Sequence, residues 1–542
     1  MKRLELPPVD DQDLPPKARQ QIQNLRAWSE ALFENCPAAW ELIARLQDEI
    51  AVLKGEKKRP LFKPSRMNDE AGKADPARGD PGGRAKRPGS DKKCKTGQLK
   101  IHQDCVIQPD RPVPPDSRFK GYHDFVVQDL VITANNTRYR LARWQTPDGS
   151  TLTGQLPKAV EGCHFGPTLN AYILYQHHHC QVTQPLLREQ LQEWGIAIST
   201  GQINAILSQD KERFHQEKDA LLATGLARST YVTVDDTGTR HKGKNAFVTH
   251  IGNDHFAWFQ STLSKSRINF LELLRAGDPS YWISDSALAY MKQQGLSRVF
   301  LETLREHETA GFADQGVWHQ HLDRLGIDSA RYRRIATEGA LLGCLKRQGV
   351  TDELAIISDD AGQFAVLTHG LCWVHAERLV HKLLPANAQH REDIARVRSE
   401  IWSFYADLKN YKLHPTAEQK APLKKRFDAI FTQQTRYTTL NRLLKRLHQN
   451  KPELLLVLDR PDVPLHTNGS ESDIRDHVKK QKVSGGTRSD LGRQCRDTFF
   501  SLKKTCRKLR VSFWSYLIDR ISRTNQIPLL SHLIEQRIAS SA

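Results

Sequence analysis

Residues 231–238 read YVTVDDTG and residues 353–360 read ELAIISDD. Each is a short apolar run, rich in β-branched residues, that ends in a pair of aspartates, and such runs read as strands. A strand is a rigid mount whose end reaches the rim of its sheet, so carboxylates there can be held toward a metal ion. Mg²⁺ takes hard oxygen ligands, often few from protein, with phosphate and water completing its octahedron. Acidic pairs after a strand are also ordinary turn residues. Two carboxylates rarely suffice for a pair of ions, so a third is sought.

Around these runs, AFVTHIG (246–252) and HFAWFQSTL (255–263) give two more strands and RINFLELL (267–274) a helix. Residues 280–350 read as largely helical, GLCWVHA (370–376) as a candidate fifth strand, and residues 376–458 as charged helices. Strands, then a helix, then more strands predict a mixed α/β core. The third carboxylate comes from LHTNGSESDIRDHVKK (465–480), where Glu471 opens a helix. Arg475 and Lys479 follow at i+4 and i+8 on the same face, suited to holding a metal against a phosphate backbone. An exposed intrahelical ion pair is the plain alternative.

A length of 542 residues predicts several domains. Lys and Arg number 80 against 62 Asp and Glu, a net charge of +18, which suits a polyanionic partner. The hydrophobic share of 38% is enough for real cores. No apolar run approaches the ~20 residues needed to span a bilayer, and the opening MKRLELPPVDDQDLPP lacks the apolar centre of a secretory signal. Nine scattered cysteines without a CxxC pair point to a reducing cytoplasm. A secreted, membrane-spanning or collagen-like protein is thereby disfavoured.

Residues 19–54 carry two columns at heptad spacing, Leu25, Leu32, Ala39, Leu46, Leu53 and Ile22, Ser29, Cys36, Ile43, Ile50, interrupted by Pro37. They predict a coiled-coil helix that either packs on its own chain or self-associates. Residues 55–118 read as a flexible basic linker, with 15 basic against 6 acidic residues from Lys54 to Lys100. Residues 119–160 alternate polar and apolar, as in FVVQDLVI and TRYRLARWQT, and predict a small β module. Within 161–226, Pro185 to Trp194 reads as one helix, and Ser199 and Gln202 as the capping box of the next. The pair resembles a helix-turn-helix, with plain helical packing as the alternative.

His177, His178 and His179 are consecutive, so on a helix they point about 100° apart and cannot all face one ion. Cys94, His102 and Cys105 lack the paired spacing of a structural zinc site, and zinc is not expected. Cys372 and His375 form a CxxH element that reads as thiol packing with a supporting or DNA-facing histidine. From Glu471 to Arg510 there are 12 basic and 5 acidic residues. Phe499, Leu502, Cys506 and Leu509 mark an apolar stripe, with Lys503, Lys504, Arg507, Lys508 and Arg510 crowding the rest. This predicts a core-anchored helix with a phosphate-facing side.

Five runs taken in order, VDDTGTRHKGKN (234–245), IISDDAGQF (356–364), CWVHAERLVHK (372–382), TNGSESDIR (467–475) and VSGGTRSDLG (483–492), resemble a bacterial insertion-sequence transposase of the insertion-sequence sixty-six type. The resemblance spans roughly residues 160 to 520, and its strength lies in the order and spacing of the runs. It implies an Asp–Asp–Glu triad of Asp235, Asp359 and Glu471 binding two Mg²⁺ ions, with Mn²⁺ an admissible substitute, in a ribonuclease H-like catalytic core formed by 227–375 and 464–520. It makes 376–463 a helical insertion, leaves 521–542 as a C-terminal helix, and aligns Asn468, Glu471 and Arg475 with an Asn-x-x-Glu run followed by arginine. Asp236 replaces a usual Glu and Ser472 a usual basic residue, which leaves each Asp pair to be resolved, with Asp235 and Asp359 favoured by alignment.

The function so implied is cleavage of phosphodiesters at insertion-element ends and joining of the 3′-OH to target DNA. Arg475, Lys479, Lys503, Lys504 and Arg507 are the expected DNA contacts, and Asn468 and His375 support the ligands. The expected partners are inverted-repeat ends, target DNA, further copies of the chain and small companion proteins of the same element, all in a bacterial cytoplasm at the nucleoid and with no membrane. The alternatives are an inactive DNA-binding derivative of such an element and a metal-dependent nuclease.

Overall fold

A computed structural model describes residues 100–541, apart from 115–116, 123–124, 158–161, 163, 307–309 and 352. The coiled coil expected at 19–54 lies outside the described residues, as does the linker up to residue 99, Cys94 included. The chain divides into two units, residues 1–128 and 129–542. In the first, the described residues carry no helix or strand, and His102 and Cys105 are exposed.

The second unit opens with a short antiparallel hairpin, β1 (Arg143–Gln145) and β2 (Thr151–Thr153), turning at Pro147-Asp148-Gly149. The β module expected at 119–160 is thus reduced to this hairpin. Alternation makes a strand only where a second layer takes up its apolar side, and here Leu130, Val131 and Trp144 stay exposed. Four helices follow: α1 (Pro167–His178), α2 (Gln184–Glu193), α3 (Thr200–Ser208) and α4 (Glu212–Arg228). Gly195 adopts a left-handed φ of 78° just past α2. The Ser199 side chain then accepts from the Gln202 backbone amide while Gln202 Oε1 accepts from the Ser199 backbone amide, a reciprocal cap on α3.

The central sheet is built from β3 (Tyr231–His241), β4 (Lys244–Gly252), β5 (Ala257–Thr262), β8 (Ala355–Ser358) and β9 (Thr368–Leu371), in the order β5-β4-β3-β8-β9. The first three form an antiparallel meander, while β8 runs parallel to β3 and β9 parallel to β8. Between β5 and β8 lies a helical lobe of α5 (Arg267–Leu274), α6 (Asp285–Gln293), α7 (Arg298–Glu306), α8 (Gln315–Arg324) and α9 (Ala330–Arg347), with a small ribbon of β6 (Tyr281–Trp282) and β7 (Gly311–Phe312). The fifth strand falls a little earlier than GLCWVHA suggests: it ends at Leu371, and α10 (Trp373–His381) starts at once, which puts His375 in a helix's first turn.

The stretch expected as a helical insertion holds α11 (Ala388–Leu413), α12 (Ala417–Phe431), α13 (Thr438–Gln449), α14 (Lys451–Leu454) and α15 (Leu456–Asp459). The chain returns to the sheet with α16 (Asn468–Ser484) and α17 (Asp490–Lys508), then α18 (Phe513–Ile521) and α19 (Leu530–Ser541). Because strand side chains alternate, the sheet buries different residues on its two sides. Val232, Val234 and Ile356 join the core shared with α4 to α9. Ala355, Ile357 and Leu371 pack with Trp373, Phe404 and Phe427 of α10 and the insertion. Ile474 and Phe500 complete a third patch over Val248 and Phe259.

The outer edge of β5 is closed by side chains of α17. The amides of Ala257, Phe259 and Ser261 donate to Thr505 Oγ1 (3.1 Å), Ser501 Oγ (2.9 Å) and Asp497 Oδ2 (2.8 Å). Their spacing of four along α17 places these three acceptors in one row, so a helix satisfies the edge as a sixth strand would.

Candidate active site

The parallel register of β3 and β8 pairs Tyr231 with Ala355, Val232 with Ile356 and Thr233 with Ile357. Two residues further on, Asp235 stands level with Asp359, at the ends of neighbouring strands. The odd-numbered side of β3 faces α16, where Thr233 Oγ1 and Ser470 Oγ lie 2.6 Å apart. Asp235 shares that parity and Glu471 follows Ser470, so the three predicted carboxylates belong to one face of the sheet.

Burial first, and then the Asp359 charge, push the Asp235 carboxyl up to about 6. The Asp236 amide donates to Asp235 Oδ1 at 2.8 Å, which partly opposes this. Asp359 Oδ1 accepts from the Ala361 amide at 3.2 Å.

The second member of each pair is committed elsewhere. Asp236, on the opposite side of β3, accepts from Gln363 Nε2 at 2.8 Å and lies 3.8 Å from Lys265 Nζ. Asp360 pairs with Arg446 and accepts from Asn450 Nδ2 at 3.3 Å, both from the insertion. Asp236 and Asp360 thus have side-chain partners from other segments, while among the described residues the Asp235 and Asp359 carboxylates accept only from backbone amides one and two residues on.

Glu471 is held by α10. Its Oε1 accepts from Arg378 Nη2 at 3.1 Å and lies 3.3 Å from His375 Nε2. The Cys372 thiol beside the His375 ring raises the imidazole pKa. Burial pushes that thiol up, but the imidazole more than offsets it and leaves the thiol lowered. Sequence reasoning found His375 and missed Arg378, which the i, i+3 spacing reveals once this stretch is known to be helical. Asp359, Cys372, His375 and Arg378 border a cleft of about 360 Å³, which Arg446 and Asn450 also line. Asn468 is the exposed first residue of α16.

Among the described residues, no three His, Cys, Asp or Glu side chains are grouped so as to hold a metal ion. The donors still suit a hard divalent cation in kind, since two facing carboxylates repel one another and gain most from a cation between them. The third carboxylate is drawn toward Arg378.

Of the expected DNA contacts, Arg475, Lys479 and Arg507 are exposed. Lys503 and Lys504 are not, at 6% and 4% exposure. Lys503 Nζ donates to the His178 carbonyl at 2.9 Å, on the last turn of α1. Lys504 Nζ lies 3.3 Å from Asp473 Oδ1 and 2.5 Å from Asp476 Oδ2, which fastens α16 to α17. Their positive charge is spent inside because α17 is enclosed by β5, α16 and α1, beyond what its apolar stripe shows. The histidine run also serves packing: His178 stacks on Phe499, and burial keeps it well below the usual imidazole range and so neutral.

Residues 355–494 match the family model described as Transposase IS66 family. The chain belongs to that family. The match spans the second aspartate and the glutamate of the candidate site, and Asp235 precedes it. This IS66-family chain is also similar to an uncharacterized protein, y4jO, of Sinorhizobium fredii (strain NBRC 101917 / NGR234), at 44% identity over 308 residues, covering 56% of this chain and 96% of that protein. As a member of a transposase family it stands among enzymes that cut and transfer DNA, and DNA is the partner that membership implies. Among the described residues, no helix is long and apolar enough to cross a membrane.

Proposed function

We propose that the chain is a DNA transposase that cuts phosphodiesters at the ends of an insertion element and joins the freed 3′-OH to target DNA. The observation that carries this reading is the level placement of Asp235 and Asp359 on adjacent parallel strands, with Glu471 on the helix crossing the same face. The strand order, three antiparallel strands followed by two parallel ones on the other side of β3, supports a ribonuclease H-like platform.

Asp235 and Asp359, with Glu471, would hold Mg²⁺ or Mn²⁺, which in such sites supplies charge neutralisation at the attacking and leaving oxygens. The chain's own groups orient the DNA. Arg475 and Lys479 lie one and two turns beyond Glu471 on the exposed face of α16, and Arg507 is exposed on α17, where they meet phosphates. In the first step water attacks the phosphodiester and leaves a 3′-OH and a 5′-phosphate. In the second that 3′-OH attacks a target phosphodiester, and a target 3′-OH leaves.

The test is strand cleavage and joining on labelled DNA bearing the element's ends, with Mg²⁺ or Mn²⁺, comparing the wild type with Glu471→Gln. Metal-dependent cleavage and joining by the wild type, lost in the variant, is the expected result. Equal activity in both proteins would remove Glu471 from the site.

A further inference from the structure

The β3–β4 hairpin and the loop joining α16 to α17 are distant in sequence and fastened together at their tips. The Lys242 amide donates to the Thr487 carbonyl at 2.8 Å, and the Thr487 amide donates to the Arg240 carbonyl at 2.9 Å. His241, almost fully buried, bridges Thr487 Oγ1 (2.8 Å) and Asp490 Oδ1 (3.0 Å) through its two ring nitrogens. Gly486 crosses so close to the hairpin that a Cβ there would stand 2.3 Å from the Arg240 carbonyl oxygen. The glycine is required by that crossing.

This joint presents cations outward. Lys244, Lys482 and Arg488 are exposed, and no ion pair engages them among the described residues. Lys242 sits at the turn itself with a φ of 49°, followed by Gly243 at 76°. A two-residue turn with both φ values positive favours Asn and Gly, and the Lys242 charge is already paired there, its Nζ 2.6 Å from Asp490 Oδ2. The joint also continues a row already on α16. Glu471, Arg475, Lys479 and Lys482 follow one helical face, and at 1.5 Å per residue Lys482 lies about 16 Å from Glu471. That distance corresponds to about five base pairs of duplex at 3.4 Å each.

We propose that the clamped hairpin and loop form a second DNA-binding surface, which takes the phosphate backbone of duplex DNA about five base pairs from the phosphate at Glu471. The proposal rests on the transposase reading for its substrate. Its chemistry, exposed and unpaired cations on a braced two-segment mount, is that of sequence-independent backbone contact.

The test measures the affinity of the full chain for a labelled duplex of about 30 base pairs and arbitrary sequence across a salt series. The variant combines Lys244→Ala, Lys482→Ala and Arg488→Ala, all at exposed positions, and a thermal melt confirms its fold. The expected slope of log affinity against log salt falls by roughly two to three units, near 0.9 per lost phosphate contact. A variant with the wild-type slope overturns the proposal. Gly486→Ala keeps every charge and should reduce affinity by opening the joint; full affinity in a variant whose joint is shown open by hydrogen exchange would also overturn it. Cleavage by the wild type is followed in parallel. Its absence alongside a reduced slope in the triple variant would count against the transposase reading while supporting this surface.

Discussion

Asp235 carries a cost imposed by its burial and then by the Asp359 charge. With its folded pKa near 6 and an ordinary value of 3.8 when unfolded, the native chain binds the proton more tightly between those two values. Stability contributed by this group is therefore greatest at low pH, falls as pH rises from about 4 to about 6, and stays lowered above that. In chelator, Asp235→Asn should raise the unfolding free energy at pH 7.5 by up to about 3 kcal/mol and leave it unchanged near pH 4, as read by thermal melts. A second prediction concerns Arg378, which competes with any cation for Glu471. Losing its charge-assisted hydrogen bond should tighten Mn²⁺ binding by Arg378→Ala on the order of tenfold, measured by calorimetry. Unchanged affinity would show that Glu471 needs no release from this bond.

Among the elements, α17 does the least expected work. Ser501→Ala would leave the buried Phe259 amide without its acceptor and should cost about 1–3 kcal/mol in urea unfolding; a loss below a few tenths would mean that water reaches this edge. None of this was legible in the sequence, where α17 showed an apolar stripe and a crowd of cations. The row Asp497, Ser501, Thr505 has meaning only once β5 is known to lie beside it. The strands carrying Asp235 and Asp359, the helix 267–274 and the cap at Ser199 were readable, because each depends on local periodicity or local hydrogen bonding. The partners of Asp236 and Asp360 were not readable, since Gln363 and Arg446 come from distant segments. The same limit hid the burial of Lys503 and Lys504 and promoted FVVQDLVI to a strand.

At the scale of the molecule, the sheet is completed from both ends of a long stretch of chain. The insertion bears on it through Arg446 and Asn450 at Asp360, and through Glu453, whose Oε1 lies 2.8 Å from His369 Nδ1 on β9. A chain ended ahead of α17 should therefore lose more than its last helices. It leaves β5 as an open edge and removes Lys504 and Lys508 from Asp473, and it should be recovered in the insoluble fraction on expression; a soluble, monomeric product in sedimentation would contradict this.

The closure of β5 by α17 also sets a timetable. Ser261 and the Asp497 that receives its amide are 236 residues apart. At about 5–20 residues per second of synthesis, the strand leaves the ribosome on the order of 10 to 50 s before its cap exists. For that interval the nascent chain carries a half-finished sheet with an adhesive rim. A second nascent copy emerging nearby would meet that rim before the cap does, which makes crowded synthesis on one messenger the condition under which this fold is most exposed to mispairing.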